Sequence, residues 1–374
     1  MNKKLFLLAG ESSGDLHGGA LMEVLSTRGS WQIDGIGGPR MRTQGMTPLF
    51  PMEELQVMGF VKIACALPKI IRQFKQVKEH ILANQYDIVV LIDYPGFNLR
   101  LAKALRKSGY RGKIVQMISP TVWAWGKGRI KTLADNFDRL LTIFPFEKNC
   151  FSHTNLDVSY IGHPLIDKIK NYSYDESWHK TYGISTDKPL VAIFPGSRSG
   201  EIASNLPRML KLAETLSTPF AISCARDDLR PLIEKQVTGR APIIASKHSY
   251  ELMKTCHTAI AVSGTATLEL ALHATPTTVV YHVPLINGII ARYLIGINLP
   301  YYCISNILMD KQVFPEFIDY FYPKKRIEKA LGQMHHDEDT RKKCIADCET
   351  IRKKLDSCGV MERAADAIEE LIDG

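Results

Sequence analysis

The sequence lacks the features that would place it in several common classes of protein. No apolar run approaches the roughly 18–20 residues that span a bilayer, so an integral membrane protein is not expected. None of the eight cysteines forms a C-x-x-C pair, so a zinc site is a poor interpretation and we expect reduced cytosolic thiols. The first glycine turn, at 10–14, lacks the G-x-G-x-x-G spacing of a dehydrogenase.

What the chain contains is ordinary for a globular protein. Its 374 residues predict about two domains, and its 45% hydrophobic and 23% charged residues exclude wholesale disorder. Lysine and arginine number 47 against 39 acidic residues, which leaves a net charge of +8. This excess suggests an acidic partner, such as a phosphorylated substrate, an anionic membrane or nucleic acid, without choosing among them.

Short apolar strands alternate with helical patterns in two series, which a polar stretch within 164–188 separates. Since strands this apolar are buried on both faces, the pattern predicts two doubly wound α/β halves with parallel sheets. Ligands bind such sheets at the carboxyl ends of the strands. The predicted strands are 5–8, 88–92, 113–118 and 140–143 in the first half, and 190–194, 220–224, 243–245, 258–262 and 278–281 in the second.

Two turns in the second half are candidate anion sites. The turn at 195–201 joins a strand to a helix, and its glycines, its amides and Arg198 favour a phosphate. It has no Gly-Lys-Ser/Thr ending, so it is not a Walker A loop, and an ordinary turn with a surface arginine is the alternative. The second turn, Ser263-Gly264-Thr265, exposes amides and hydroxyls for a diphosphate. Glu269 follows where it could accept from both ribose hydroxyls, or complete a capping box.

Carboxylates and histidines in the first half are candidate bases. Asp93 directly follows a buried strand, where burial can raise its pKa, although an Asx turn with Pro95-Gly96 is the simpler explanation. Glu11 lies in a Gly/Ser turn and is either catalytic or a helix N-terminal acid. His17 and His163 could be bases or ligands, but lone histidines more often have structural roles.

Two further segments have two interpretations each. In 60–75, apolar residues recur at helical spacing between Lys62, Lys69, Arg72 and Lys75, so this stripe either faces the core or lies in a membrane interface. Trp123 and Trp125 stand beside basic residues, as in a nucleic-acid stacking platform. Because no RNP, zinc-knuckle or helix-turn-helix signature accompanies them, a structural loop is the better interpretation.

Nine short motifs follow one another along the chain. They are Ala-Gly-Glu-Ser-Ser-Gly-Asp at 9–15, Gly-Gly-Pro-Arg-Met at 37–41, Met-Glu-Glu-Leu-x-Val-Met-Gly at 52–59, Ile-Asp-x-Pro-x-Phe-Asn at 92–98, Ser-Pro-Thr-Val-Trp-Ala-Trp at 119–125, Phe-Pro-Phe-Glu at 144–147, Ile-Gly-His-Pro at 161–164, Pro-Gly-Ser-Arg-x-x-Glu at 195–201 and Ser-Gly-Thr-Ala-Thr-Leu-Glu at 263–269. In this order, the sequence from about residue 7 to about residue 310 resembles the lipid-A-disaccharide synthase family. One departure is Gly96, where the family usually has a second aspartate, which leaves Asp93 as the preferred acid.

The resemblance implies a GT-B fold, in which two Rossmann-like domains face each other across a cleft. We expect residues 1–165 to form the acceptor and membrane-facing domain and 166–345 the UDP-sugar domain. The helices of 346–374 would cross back to the first domain or to a second subunit, as in a homodimer. The implied enzyme is an inverting hexosyltransferase that moves 2,3-diacylglucosamine from its UDP conjugate to the 6-hydroxyl of 2,3-diacylglucosamine 1-phosphate.

The resemblance also implies roles for individual residues, with no metal, no cofactor and no nucleic-acid partner. Asp93 is the first candidate for the base and Glu11 the second. We expect the protein at the inner face of the cytoplasmic membrane, on an anionic surface. The alternative is a UDP-sugar 2-epimerase or another GT-B enzyme with a soluble substrate. Expected UDP-sugar contacts are Gly196, Ser197, Arg198, Glu201, Ser263, Gly264, Thr265, Glu269 and Asn306, and expected membrane-docking residues are Phe60, Val61, Ile63, Leu67, Ile70 and Ile71.

Overall fold

The computed structural model describes residues 3–55, 60–185, 187–283, 299–319 and 322–373, with the side chains of 60–67 outside this description. The chain divides into two compact units. The first contains Met1–Asp167 and Ser357–Gly374, and the second contains Lys168–Asp356. Helix Pro164–Lys170 spans the boundary between them.

The first unit is built on a parallel sheet with strand order β3-β2-β1-β4-β5-β6-β7. Its described strands are β1 Lys3–Ala9, β2 Trp31–Ile36, β3 Thr47–Pro48, β4 Ile88–Ile92, β5 Lys113–Met117, β6 Arg139–Thr142 and β7 Asp157–Tyr160. Its helices are Ser12–Arg28, Pro39–Thr43, Phe60–Asn84, Pro95–Lys107, Gly128–Asn136 and Val360–Asp373, with 3₁₀ turns at Met52–Glu54 and Pro145–Phe151.

The second unit has a parallel sheet with strand order β10-β9-β8-β11-β12-β13. Its described strands are β8 Val191–Phe194, β9 Phe220–Ser223, β10 Ile243–Ile244, β11 Thr258–Ala261, β12 Thr277–His282 and β13 Glu316–Asp319. Its helices are Trp178–Thr181, Ser199–Glu214, Arg230–Val237, Ser249–Thr255, Thr265–Leu272, Ile304–Met309, Lys324–His336 and Glu338–Leu355, with 3₁₀ turns at Asp227–Leu229 and Ser246–His248.

Both sheets place their central strands in the core. All five residues of β4 and all four of β8 and of β11 are buried, because helices cover both faces of each sheet. The two parallel sheets confirm the predicted pair of Rossmann-like α/β domains. The sequence pattern did not predict β2, β3, β7 and β13. These strands are short or half-buried and lack a continuous apolar run.

The strand order reverses direction at one point in each sheet, between β1 and β4 and between β8 and β11. The turns that follow these paired strands therefore lie side by side, at the position where open α/β sheets bind ligands. In the first unit this brings together the turns that contain Glu11 and Asp93. In the second unit it brings together the turns at 195–198 and 262–264.

The last helix, Val360–Asp373, packs in the first unit although the preceding helix belongs to the second. Lys3 pairs with Asp373 at 2.8 Å, Arg139 with Glu370 at 3.0 Å, and Arg28 with Asp366. These contacts join the end of the chain to the sheet and to its first helix. Across the described ranges, no helix combines the length and the apolarity needed to cross a membrane.

Candidate functional site

A cavity of about 480 Å³ lies at the carboxyl ends of the central strands in the second unit. Its size falls within the range of about 300–1,000 Å³ that small-molecule sites occupy. Both predicted anion turns line it, and so do Glu201 and Glu269. It is also lined by Lys168, Tyr172 and Tyr250, which sequence reasoning did not identify.

The turn after β8 requires glycine at one position. Gly196 has φ +108°, and a Cβ atom there would lie 2.7 Å from Oε2 of Glu201 and 3.2 Å from Val262. The Arg198 side chain is 81% exposed and donates to Oε1 of Glu201 at 2.8 Å. Helix Ser199–Glu214 begins here without a side-chain cap, so its amides and Arg198 together can bind an anion.

The turn after β11 presents small residues at the same cavity. Ser263 donates to the carbonyl of Tyr302 at 3.4 Å, while Gly264 and Thr265 are exposed. Thr267 donates to the Gly264 carbonyl at 2.7 Å, which closes the first turn of helix Thr265–Leu272. The arrangement leaves the hydroxyl of Thr265 and the backbone of Gly264 accessible to a ligand.

Glu269 is oriented by Tyr250 on the cavity wall, and Lys168 lies nearby. The Tyr250 hydroxyl donates to Oε1 of Glu269 at 2.8 Å, and Nζ of Lys168 lies 4.8 Å from the centre of the Tyr250 ring. Burial raises the pKa of the Glu269 carboxyl, and the Tyr250 hydrogen bond and the positive Lys168 partly oppose that rise. The carboxylate is thus held at the cavity with a defined direction.

Asn306 does not line this cavity. Its side chain is fully buried in helix Ile304–Met309, where Oδ1 accepts from the amides of Val313 at 2.8 Å and Phe314 at 2.9 Å. Its Nδ2 donates to the Phe314 carbonyl at 2.8 Å. These three hydrogen bonds stabilise the segment that follows Tyr302. The carbonyl of Tyr302 in turn accepts the hydrogen bond from the Ser263 hydroxyl.

In the first unit, the two carboxylate turns contact each other. Glu11 is exposed immediately before helix Ser12–Arg28, and Asp93 directly follows β4. Gly10 is packed so closely under the ring of Tyr94 that a Cβ atom would lie 2.4 Å from it. Burial raises the pKa of Asp93, and the backbone amide of Tyr94 partly opposes this. Asp93 is therefore a stronger base than an exposed aspartate.

The two candidate histidines lie near each other, and His163 has structural contacts. Burial lowers the pKa of both His17 and His163 to about 4, with the charge of His17 adding to the effect on His163. Nδ1 of His163 accepts from the Leu165 amide at 3.2 Å, and its ring packs 4.9 Å from that of Phe144. Both imidazoles are consequently neutral near pH 7.

The tryptophan loop makes aromatic contacts within the first unit. Trp123 packs edge-on against Phe146 with ring centres 5.6 Å apart. The guanidinium of Arg129 lies 3.9 Å from the centre of the Trp125 ring. These contacts agree with the interpretation of this loop as part of the domain's structure.

The predicted membrane stripe begins helix Phe60–Asn84. The side chains of Phe60, Val61, Ile63 and Leu67 lie outside the described residues. Ile70 is half-buried and Ile71 is 49% exposed, whereas Val77 and Ile81 further along the helix are fully buried. Lys69 pairs with Glu54 at 3.4 Å. The helix thus packs on the core through its later turns and exposes the apolar side chain of Ile71 about midway along its length.

Comparison with known sequences gives a consistent family assignment. A model of the family described as lipid-A-disaccharide synthetase matches residues 5–370. The chain is 37% identical to the lipid-A-disaccharide synthase of Chlamydia pneumoniae, over 98% of this chain and 61% of that protein. It is 34% identical to the synthase of Geobacter sulfurreducens, over 99% of this chain and 97% of that protein. The chain therefore spans about three fifths of the chlamydial relative and nearly all of the Geobacter one.

Comparison with solved structures supports the fold at low sequence identity. A putative UDP-N-acetylglucosamine 2-epimerase from Listeria monocytogenes matches with a TM-score of 0.64 and 11% identity, over 100% of this chain and 97% of that one. MurG from Acinetobacter baumannii matches with a TM-score of 0.57 and 14% identity, over 99% of this chain and 100% of that one. The fold is of the GT-B type. Together with the sequence matches over almost its whole length, this places the chain in the lipid-A-disaccharide synthetase family.

Proposed function

We propose that this chain is an inverting glycosyltransferase that transfers 2,3-diacylglucosamine from its UDP conjugate to the 6-hydroxyl of 2,3-diacylglucosamine 1-phosphate. The products are the β-1,6-linked lipid A disaccharide 1-phosphate and UDP. The observation that carries this proposal is the cavity of the second domain, where the two predicted anion turns and the half-buried Glu269 carboxylate meet. Such a set of groups matches the diphosphate and ribose of a UDP-sugar.

The donor is proposed to bind with its diphosphate between the two turns. Arg198 supplies a cationic fork, while the amides after Gly196 and the hydroxyls of Ser263 and Thr265 supply neutral donors. Glu269, held by Tyr250, accepts from the ribose hydroxyls. Asn306 acts indirectly in this arrangement, because it braces the segment next to Ser263.

Asp93 is proposed as the general base, with Glu11 as the alternative. As the acceptor's 6-oxygen bonds to the anomeric carbon, its proton passes to the carboxylate. The bond between that carbon and the diphosphate breaks, and its electron pair leaves with UDP. Arg198 and the turn amides stabilise the charge that develops on the leaving group. The raised pKa of Asp93 suits it to accept the proton.

The first domain is proposed to receive the acceptor and to dock on the inner face of the cytoplasmic membrane. Helix Phe60–Asn84 supports this, because Ile71 is exposed beside basic residues that can attract anionic lipids. Docking through Phe60, Val61, Ile63, Leu67, Ile70 and Ile71 stays a prediction, as does a homodimer.

The decisive experiment incubates the purified protein with UDP-2,3-diacylglucosamine and 2,3-diacylglucosamine 1-phosphate. We expect a disaccharide 1-phosphate by mass spectrometry, with release of one UDP per disaccharide. Absence of the disaccharide with both substrates present would contradict the proposal. Epimerisation of a UDP-sugar at carbon 2 under the same conditions would support the soluble-substrate alternative instead.

A further inference from the structure

The turn that carries Asp93 is held by a buried carboxamide on the neighbouring strand. Gln116 lies in β5 with 0% of its surface exposed. Its Nε2 lies within hydrogen-bond distance of three carbonyl oxygens, those of Asp93 at 3.0 Å, Met117 at 3.2 Å and Ile118 at 3.1 Å, which share its two hydrogens. One side chain thus joins the turn after β4 to the turn after β5.

Both of these turns contain residues in an unfavourable backbone conformation. Asp93 and Tyr94 have φ of 47° and 44°, and Ile118 has φ of 68°. Left-handed backbone is uncommon for residues other than glycine and is exceptional for a β-branched one such as Ile118. Such residues persist where the surrounding contacts hold them, and they cluster at functional sites.

A second buried amide acts on the same carbonyl. Asn98, fully buried in helix Pro95–Lys107, donates from Nδ2 to the carbonyls of Asp93 at 2.5 Å and Ile92 at 3.3 Å. The Asp93 amide in turn donates to the Met117 carbonyl at 2.9 Å. Both backbone polar groups of Asp93 are therefore fixed, one of them by two side chains.

We propose that Gln116 and Asn98 are positioning residues that hold the Asp93 carboxylate in its reactive direction. Neither acts on substrate in this proposal; both act through the backbone of Asp93. The inference rests on the proposed role of Asp93 as the general base. Because three carbonyl oxygens surround the end of Gln116, only its nitrogen can face them, and it is this donor that the turn requires.

The test replaces Gln116 with methionine, which keeps the length of the side chain and removes the donor. Thr142→Val is the matched control, because Thr142 is also fully buried at the end of a strand of this sheet and donates to a carbonyl, that of Ser159 at 3.4 Å. For Gln116→Met we expect kcat to fall at least tenfold, while KM and UDP affinity stay within twofold. Thr142→Val should leave kcat within twofold.

The same substitution is then made in an Asp93→Asn background. If Gln116 acts through the Asp93 carboxylate, Gln116→Met should lower the residual kcat of Asp93→Asn by less than twofold, since the two effects share one cause. An equal loss in both backgrounds would overturn the proposal, and so would an unchanged kcat in the single variant. Full activity of Asp93→Asn would instead contradict the assignment of the base.

A structural measurement decides the proposal even if the wild-type protein forms no disaccharide. In a crystal structure of Gln116→Met, we expect φ of Asp93 or Tyr94 to leave the left-handed region. Retention of both angles, with the carboxylate in its original direction, would show that Gln116 does not position this turn.

Discussion

The six strands of the second sheet have the same order as the first six strands of the first sheet, but the turns at the reversal point carry groups of opposite charge. In the first domain, the turns at the reversal point carry carboxylates, and non-glycine residues adopt left-handed backbone at Asp93 and Tyr94. In the second domain, the corresponding turns carry Gly196, Gly264 and the cationic Arg198. The fold determines where the turns meet, and the residues determine what they can bind.

The difference also concerns how the backbone polar groups are used. Around Asp93, side-chain amides occupy the carbonyls, so the backbone is fixed and the carboxylate is the group left to react. Around Gly196 and Gly264, small residues bring the backbone to the cavity, where its amides can serve a ligand. The turns of the first domain are suited to supply a base, and those of the second domain are suited to bind an anion. Three substitutions test that distinction.

The largest effect is expected from Asp93→Asn, which removes the base and keeps the size of the side chain. General-base catalysis contributes about 10²–10⁴-fold, so kcat should fall by that factor. Binding of UDP, measured by calorimetry, should stay within twofold because the proposed UDP contacts belong to the second domain. Glu11→Gln is the control, with a smaller loss if Asp93 is the base. Loss of UDP affinity in Asp93→Asn would contradict the separation of roles.

Much of this comparison could be predicted from the sequence, because apolar strands followed by Gly/Ser turns or by an aspartate are local signals. The central strands β1, β4, β8 and β11 and the turns after them were all identified. Edge strands such as β7 and β13 were not, since half-buried strands mix polar and apolar residues without a continuous run. The side chains of 60–67, on which the membrane prediction depends, lie outside the described residues.

The contacts that orient the site could not be predicted, because they join residues far apart in the chain. Tyr250 meets Glu269 across 19 positions, and Gln116 meets Asp93 across 23. A buried tyrosine or glutamine in a strand-helix pattern carries no local sign of its partner. Asn306 shows the converse, since the family resemblance implied a ligand contact, whereas its hydrogen bonds in the structure are to backbone groups.

A smaller effect is expected from Arg198→Ala, which removes the cationic side chain of the turn after β8. A hydrogen bond to a charged group contributes about 1.5–3 kcal/mol, so UDP should bind roughly 10- to 100-fold more weakly. Arg230→Ala is the matched control, because Arg230 is an exposed arginine of the same domain that pairs with Glu234 one helical turn away. Equal effects of the two substitutions would show that Arg198 acts only as a surface charge.

The smallest effect is expected from Tyr250→Phe, which removes the donor to Glu269 and keeps the ring. A single neutral hydrogen bond contributes about 0.5–1.5 kcal/mol, so UDP affinity should fall roughly two- to tenfold. The preference for UDP over 2′-deoxy-UDP should also shrink, because the carboxylate loses its direction. Tyr322→Phe, which removes a buried hydroxyl away from the cavity lining, should change neither quantity.

The pH dependence of the Tyr250→Phe variant tests the same contact independently. Burial raises the pKa of Glu269, and the Tyr250 hydrogen bond partly opposes that rise. Its removal should raise this pKa further, so that protonation, and the loss of ribose contacts that follows, begins at a higher pH than in the wild-type protein. UDP titrations at a series of acidic pH values should therefore show that affinity begins to decline at a higher pH in the variant than in the wild-type protein. An unshifted decline would mean that Glu269 does not bind the ribose as a carboxylate, and the donor site would then depend on its two turns alone.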